Sequence, residues 1–321
     1  MVPIGYHASH EQLPPSALLE AVQDAERAGF DVAMCSDHFA PWGLAQGESG
    51  FAWSWLGAAL ATTSLRFGIV TAPGQRYHPA ILAQAVATLA EMFPGRFWAA
   101  LGSGEAINEH ITATGWPPKP YREQRLRESA DVMRRLIAGE TVDHEGAVAV
   151  HAARVWSRPP VLPAFLGAAV SAETAAWAAE WAEGLITVGT DPAQVARVVG
   201  AYRDNGGRGD VALQVHVCLA ESRADGLAIV ADQWRHATAP ADRMWDIAQP
   251  EEFDRLADVG DLDKLDAAVV IEPDAGRMAE RLAELAAAGV DELYLHEVGK
   301  DQRTFLHRAA AELIPALKEA L

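Results

Sequence analysis

Residues 31–42 read DVAMCSDHFAPW. A short apolar, β-prone run stops on an acid and an imidazole, and a proline and an indole follow within four residues of His38. A strand whose residues are almost all apolar is buried on both faces, as in a parallel sheet. Its polar residues gather at the C-terminal end.

The same arrangement recurs on either side. Strands are expected at 2–7, 31–37, 65–72, 96–104, 163–169, 183–189, 211–220 and 291–299. Helices are expected between them at 15–30, 52–62, 79–93 and 121–139, from Ser171 onward, near 192–205, and over 301–321. The first helix has apolar residues at 18, 19 and 22 and a stop at Gly29; the third begins on Pro79. Eight strand–helix units predict an α/β fold of the (β/α)8 TIM-barrel type, one domain over residues 1–321, with an open doubly wound sheet as the alternative. Two stretches break the rhythm. Residues 140–160 read as a β-hairpin turning at Glu145-Gly146, and 222–288 as a mostly helical insertion over the C-terminal face of the barrel.

Half of the 321 residues are apolar and 22% are charged, enough for a sizeable core. The net charge of −18 argues against nucleic acid and against an anionic membrane surface. No apolar run reaches the length of a membrane span. The opening MVPIGYHASH has neither a basic n-region nor an apolar h-region, so no signal peptide is expected and the expected location is cytoplasmic. The two cysteines, Cys35 and Cys218, lie in apolar runs and read as buried thiols.

In such barrels chemistry sits where strands end. The residues there are His7 and Ser9; Asp37, His38 and Trp42; residues 70–79; residues 102–109 with Glu105; residues 167–171; residues 188–191; and His296 and Glu297. An imidazole exchanges protons near neutral pH, and a carboxyl in an apolar mouth has its charged form disfavoured. His38 and Glu105 therefore read as an acid–base pair facing one small-molecule substrate. Asp37 is expected to orient His38 or to cap a turn. Glycines around Glu105, Gly104 among them, let backbone approach a ligand. Ser171 reads as the cap of a helix whose amides suit a phosphate. A metal hydrolase would draw on His7, His10, His38 and His296 with carboxylates, but the neighbouring Trp, Pro and Gly are not ligands, so no metal site is expected. Trp53, Trp55 and Trp98 read as core aromatics.

The segments IGYHASHEQL (4–13), SDHFAPW (36–42), RYHPAILAQAVATLAEMFPGR (76–96), LGSGEAINE (101–109) and GKDQRTFL (299–306) together resemble the luciferase-like flavin-dependent oxidoreductases. The branch is the one containing F420-dependent glucose-6-phosphate dehydrogenase. The likeness runs from residue 4 to about 307 and is weakest over 222–270. It implies hydride transfer between a small alcohol, lactol, sugar or carbonyl and F420 or FMN. His38 would act on the substrate hydroxyl, Trp42 would stack beside the reacting ring, and Glu105 would be the acid or base at a ring nitrogen with Asn108 nearby. Asp37 would touch the ring or its side chain. The Ile69–Val70 bond would be a non-proline cis peptide backing the ring. Gly167, Ala168, Ala169 and Val170, with Val188, Gly189 and Thr190, would cradle the cofactor phosphate. Arg76, Arg122, Arg125 and Arg127 are candidates for an anionic F420 tail. A homodimer is implied. Where the sugar-phosphate enzymes use cationic residues on the substrate phosphate, this chain aligns Asp266, read as a buried acid, and its loop after Gly189 has no lysine; a neutral substrate is expected. The alternatives are an FMN-dependent monooxygenase using oxygen, or a flavin-binding protein without catalysis.

Overall fold

A computed structural model describes residues 2–321. Eight parallel strands close on themselves: Ile4–Ala8, Val32–Ser36, Arg66–Thr71, Phe97–Leu101, Phe165–Ala168, Gly184–Val188, Val211–Cys218 and Glu292–Glu297, each paired with the next and the eighth with the first. The fold is the expected (β/α)8 barrel. Helices fill the outer ring because their apolar stripes match the outward-facing strand residues. Pro15–Ala28 buries Leu18, Ala21, Val22 and Ala25, one face of a helix. It ends where Gly29 takes φ 94°, which lets the Gly29 amide reach Glu26 and the Phe30 amide reach Ala25.

The barrel interior is a separate apolar cluster of Val32, Met34, Trp98, Ala100, Leu166, Ile186, Ala212 and Tyr294. Trp98 and Tyr294 meet edge to face with centroids 6.0 Å apart. They fit only because the first and third strands carry glycine opposite them. A Cβ on Gly68 would lie 1.9 Å from the Trp98 ring, and one on Gly5 would lie 2.2 Å from the Tyr294 ring.

Three expectations need correction. Within the mostly helical 222–288 stretch, Val270–Ile271 is a short strand pairing with Val217 and Cys218, too brief to register as a period. Ala275–Ala286 is not insertion but an outer-ring helix, packed between Pro192–Asp204 and Ile314–Ala320, so the insertion proper ends near Ala268. The Ile69–Val70 bond is trans, like every described peptide bond. Both residues stay in register with the second and fourth strands, and the Val70 carbonyl accepts from the Asp37 amide at 3.0 Å. The terminal helix over 301–321 is interrupted by a π-turn at Ala309–Leu313, just before Pro315, whose missing N–H breaks the regular ladder. The hairpin is present as antiparallel Val142–Glu145 and Ala149–Ala153.

Candidate active site

A cavity of about 830 Å³ opens at the C-terminal ends of the strands. Its size is that of a small-molecule or cofactor site. His38, on the loop just beyond the second strand, lines it. His38 Nδ1 lies 2.6 Å from Glu11 Oε1, and His38 Nε2 lies 3.7 Å from Glu105 Oε2. Nε2 is thus the nitrogen turned toward the cavity. Glu11 is buried and takes a 2.6 Å hydrogen bond from the Ser9 hydroxyl. Burial works to lower the His38 pKa, but the Glu11 carboxylate, joined by Glu105, more than reverses this and raises it to about 9. The same contact holds Glu11 well below the usual carboxylate range, against its burial. Burial pushes the Glu105 carboxyl up, with the His38 charge pulling the other way.

Trp42 stands edge-on to His38, with centroids 5.4 Å apart, and stacks on His236 at 5.3 Å and 13°. Phe253 of the helical insertion presses on it edge to face, and the Trp42 amide donates to Gln46 Oε1 in its own loop at 2.8 Å. Asn108 Nδ2 donates to Glu105 Oε2 at 3.0 Å, while Asn108 Oδ1 accepts from the Phe39 amide at 2.8 Å. This one carboxamide ties the loop after the second strand to the helix after the fourth.

Asp37 does not orient His38. It is a buried hub that accepts from Trp53 Nε1 at 3.0 Å, Thr71 Oγ1 at 2.8 Å and Tyr77 Oη at 3.0 Å, with Arg76 Nη2 3.5 Å away. Arg76 is shared with the buried Glu109 and is therefore spoken for. Of the other arginines considered for an anionic tail, Arg122 lines the cavity, whereas Arg125 does not and Arg127 is exposed. Asp266 is half-buried and ion-paired to Arg223, outside the cavity, so it is not a buried repulsive charge.

Among the residues expected to hold a cofactor, Asp37, Val70, Gly104, Asn108, Ala168, Ala169, Val170, Val188, Gly189 and Thr190 line the cavity. Ile69 and Gly167 do not. Strand side chains alternate, and Ile69 faces the outer core, while Gly167 is a close approach to the following helix, with room for a Cβ only 2.7 Å from Ala178. The Ala169 and Gly189 amides are already given to the Ile186 and Gln214 carbonyls.

Sequence reasoning missed Glu11, four residues past His7 and next to His10, which was weighed only as a metal ligand. It also missed a wall of uncharged polar residues and aromatics: Gln214, His216, Trp234 and His236, joined to His7 and His296. His7 and His296 stack at 4.2 Å. Trp234 touches His216, His236 and His296 with centroids 4.5, 4.7 and 4.8 Å away. Burial lowers these imidazoles, His7 and His236 to about 3 and His216 to about 4, with His296 well below its ordinary value. They are neutral at physiological pH. The rings stack instead of converging, and among the described residues no group of three or more His, Cys, Asp or Glu is placed to hold a metal ion.

Residues 2–292 match the family of luciferase-like monooxygenases. Over almost its whole length the chain is similar to F420-dependent glucose-6-phosphate dehydrogenases: 34% identity to that of Microbacterium testaceum, covering 98% of this chain and 97% of the relative, and 33% to that of Intrasporangium calvum, covering 99% of each. In three dimensions it is similar to an F420-dependent secondary alcohol dehydrogenase in complex with an F420-acetone adduct, with a TM-score of 0.91, 28% identity, and coverage of 98% of this chain and 99% of the other. The coenzyme F420 dependent tetrahydromethanopterin reductase from Methanopyrus kandleri shares the fold, with a TM-score of 0.75, 21% identity, and coverage of 98% and 99%.

Proposed function

The chain belongs to the luciferase-like monooxygenase family and is an oxidoreductase using F420 or FMN; from that premise we propose that it is an F420-dependent dehydrogenase of a small uncharged alcohol, lactol or sugar. The observation that carries the reading is His38 held between Glu11 and Glu105 beside Trp42. That arrangement supplies proton transfer at one atom and a flat wall next to it.

The residues fit a cofactor of this kind. Thr187 and Arg122 line the cavity, and the Thr187 hydroxyl and Arg122 Nε are buried with no hydrogen-bond partner among the described residues. Lys119 and Arg122 stand at the wall where an anionic tail would lie, with Arg122 stacked over Trp116 at 4.2 Å. When bound, the cofactor supplies the two-electron hydride acceptor. His38, neutral, takes the hydroxyl proton of the substrate on Nε2 as the carbinol C–H leaves as hydride, while Glu11 fixes the ring through Nδ1 and stabilises the imidazolium that forms. Glu105, kept in place by Asn108, would hold the proton at a ring nitrogen of the bound group. Trp42 and the insertion exclude water from the reacting face.

The substrate is uncharged. The wall built from the sixth and seventh strands and the insertion contributes no lysine or arginine to the cavity; its one charged residue is Asp242. A phosphate there would find no counter-charge. A cytoplasmic location, which the free buried thiols Cys35 and Cys218 fit, and the homodimer that the family resemblance implies complete the proposal.

Side-by-side titration of the purified protein with F420 and FMN, followed by anaerobic F420 reduction with secondary alcohols, tests the reading. Tight F420 binding with alcohol-dependent bleaching, lost in His38→Ala while F420 still binds, is the expected result. Binding of FMN alone, with substrate-coupled oxygen uptake, would replace it with the monooxygenase reading.

A further inference from the structure

The neutral wall opposite His38 is wired by hydrogen bonds of fixed polarity. Gln12 Nε2 donates to the Val298 carbonyl, which leaves Gln12 Oε1 to accept from His296 Nε2 at 2.9 Å. His296 Nδ1 is then an acceptor, and it faces Gln214 Nε2 at 3.4 Å. The same amide nitrogen lies 3.2 Å from His216 Nε2, and because an amide nitrogen only donates, Nε2 is the acceptor of His216. A neutral imidazole has one donor and one acceptor, so both Gln214 amide hydrogens are consumed by two histidines. What remains is Gln214 Oε1, an oriented acceptor on a half-buried side chain of the cavity wall, with no protein donor among the described residues.

His236 stands across Trp234 from this point and beside Trp42. Neither of its ring nitrogens has a protein partner among the described residues, and the ring lines the cavity. As a neutral imidazole it offers one donor and one acceptor. Trp42 and Trp234 supply the apolar faces between these groups, and those faces suit the C–H surface of a compact ring.

Resting on the dehydrogenase reading, we propose that the substrate carries a second, non-reacting hydroxyl, recognised by Gln214 Oε1 and His236, so that the enzyme selects an uncharged diol or polyol over a simple secondary alcohol. A lone alcohol would leave these buried polar groups unmatched, which a site built to hydrogen-bond a hydroxyl does not tolerate well.

The probes are cis-cyclohexane-1,2-diol and cyclohexanol, equal in ring size and differing by one hydroxyl. Calorimetric binding to the purified protein needs no turnover. The diol is expected to bind about tenfold or more tighter, and the ratio should collapse toward one in Gln214→Leu. Because that substitution also breaks the histidine chain, His236→Phe, which lies outside the chain, is the second variant, and His236→Gln should restore part of the preference. Equal binding of the two probes by the wild type, or an unchanged ratio in both Gln214→Leu and His236→Phe, overturns the proposal. Failure of either probe to reduce F420, with the diol preference intact, would count against the dehydrogenase reading and leave the hydroxyl site standing.

Discussion

Replacing Glu11 by Gln removes one charge from the immediate surroundings of His38 and changes little in shape. The ordinary imidazole value is 6.5 and the folded value is about 9, although burial acts to lower it. The difference is worth about 3 kcal/mol in favour of the imidazolium. Glu11 Oε1, 2.6 Å from Nδ1, supplies most of that, and Glu105 at 3.7 Å from Nε2 a smaller share. In the wild type, only about one His38 in a hundred is neutral at pH 7. Alcohol oxidation requires the neutral ring, so its kcat/KM should rise with pH and level off only above about 9. Ketone reduction requires the charged ring and should hold up to about 9, then fall. In Glu11→Gln, burial remains and the main counter-charge is gone. The oxidation limb should therefore move at least two pH units to the acid side, and reduction at neutral pH should be lost. The assay is anaerobic initial rates with F420 in both directions, from below pH 6.5 to above 9. Limbs that stay in place in Glu11→Gln would refute the assignment of the pH dependence to this pair.

Three further outcomes follow from other parts of the molecule. Gly68→Ala places a methyl 1.9 Å from Trp98 and should cost about 3 kcal/mol or more, whereas Gly57→Ala, in a helix with nothing within 4 Å, should be neutral or stabilising by a few tenths of a kcal/mol; paired thermal melts decide this. His10 is buried with its pKa lowered to about 4, so the unfolded chain binds its proton first as pH falls below 6.5. That residue removes stability by about 1.4 kcal/mol per pH unit between those values, and His10→Gln should flatten the acid-unfolding slope by about one proton in urea titrations. Lys119→Ala should weaken F420 binding and reduce its salt dependence without moving the pH limbs, read by fluorescence titration at two ionic strengths.

The barrel was legible because strands buried on both faces leave nearly unbroken apolar runs, and the rule that chemistry sits at strand ends was enough to pick out His38, Trp42 and Glu105. Glu11 was not legible from spacing: its partner lies 27 residues away, and only the parallel pairing of the first and second strands brings the two loops together. Gln214 and His216 escaped for another reason. They sit within a strand, where polar residues read as interruptions of a core, not as part of a cavity. Ile69 and Gly167 do not line the cavity because neighbours along a strand face opposite sides, so only one side chain of each adjacent pair can reach the interior. The two-residue strand at 270–271 carries no period at all.

Side-chain alternation also explains why the site is where it is. The inward positions of one strand, two residues apart, pass from Tyr294 to His296 on the eighth and from Gly5 to His7 on the first; on the seventh they run from Ala212 through Gln214 to His216. Below that step the barrel is plugged by Trp98 and Tyr294 against glycine; above it the same strands present uncharged hydrogen-bonding groups. The plug closes the bottom of the barrel, so polar residues one step higher are desolvated without being buried in hydrocarbon. That keeps His7, His216 and His296 neutral. His38 escapes the same fate because it lies on the loop beyond the strand, within reach of Glu11. One cavity thus holds a charged imidazole for proton transfer facing neutral ones for recognition, and the difference is set chiefly by Glu11, with a smaller share from Glu105.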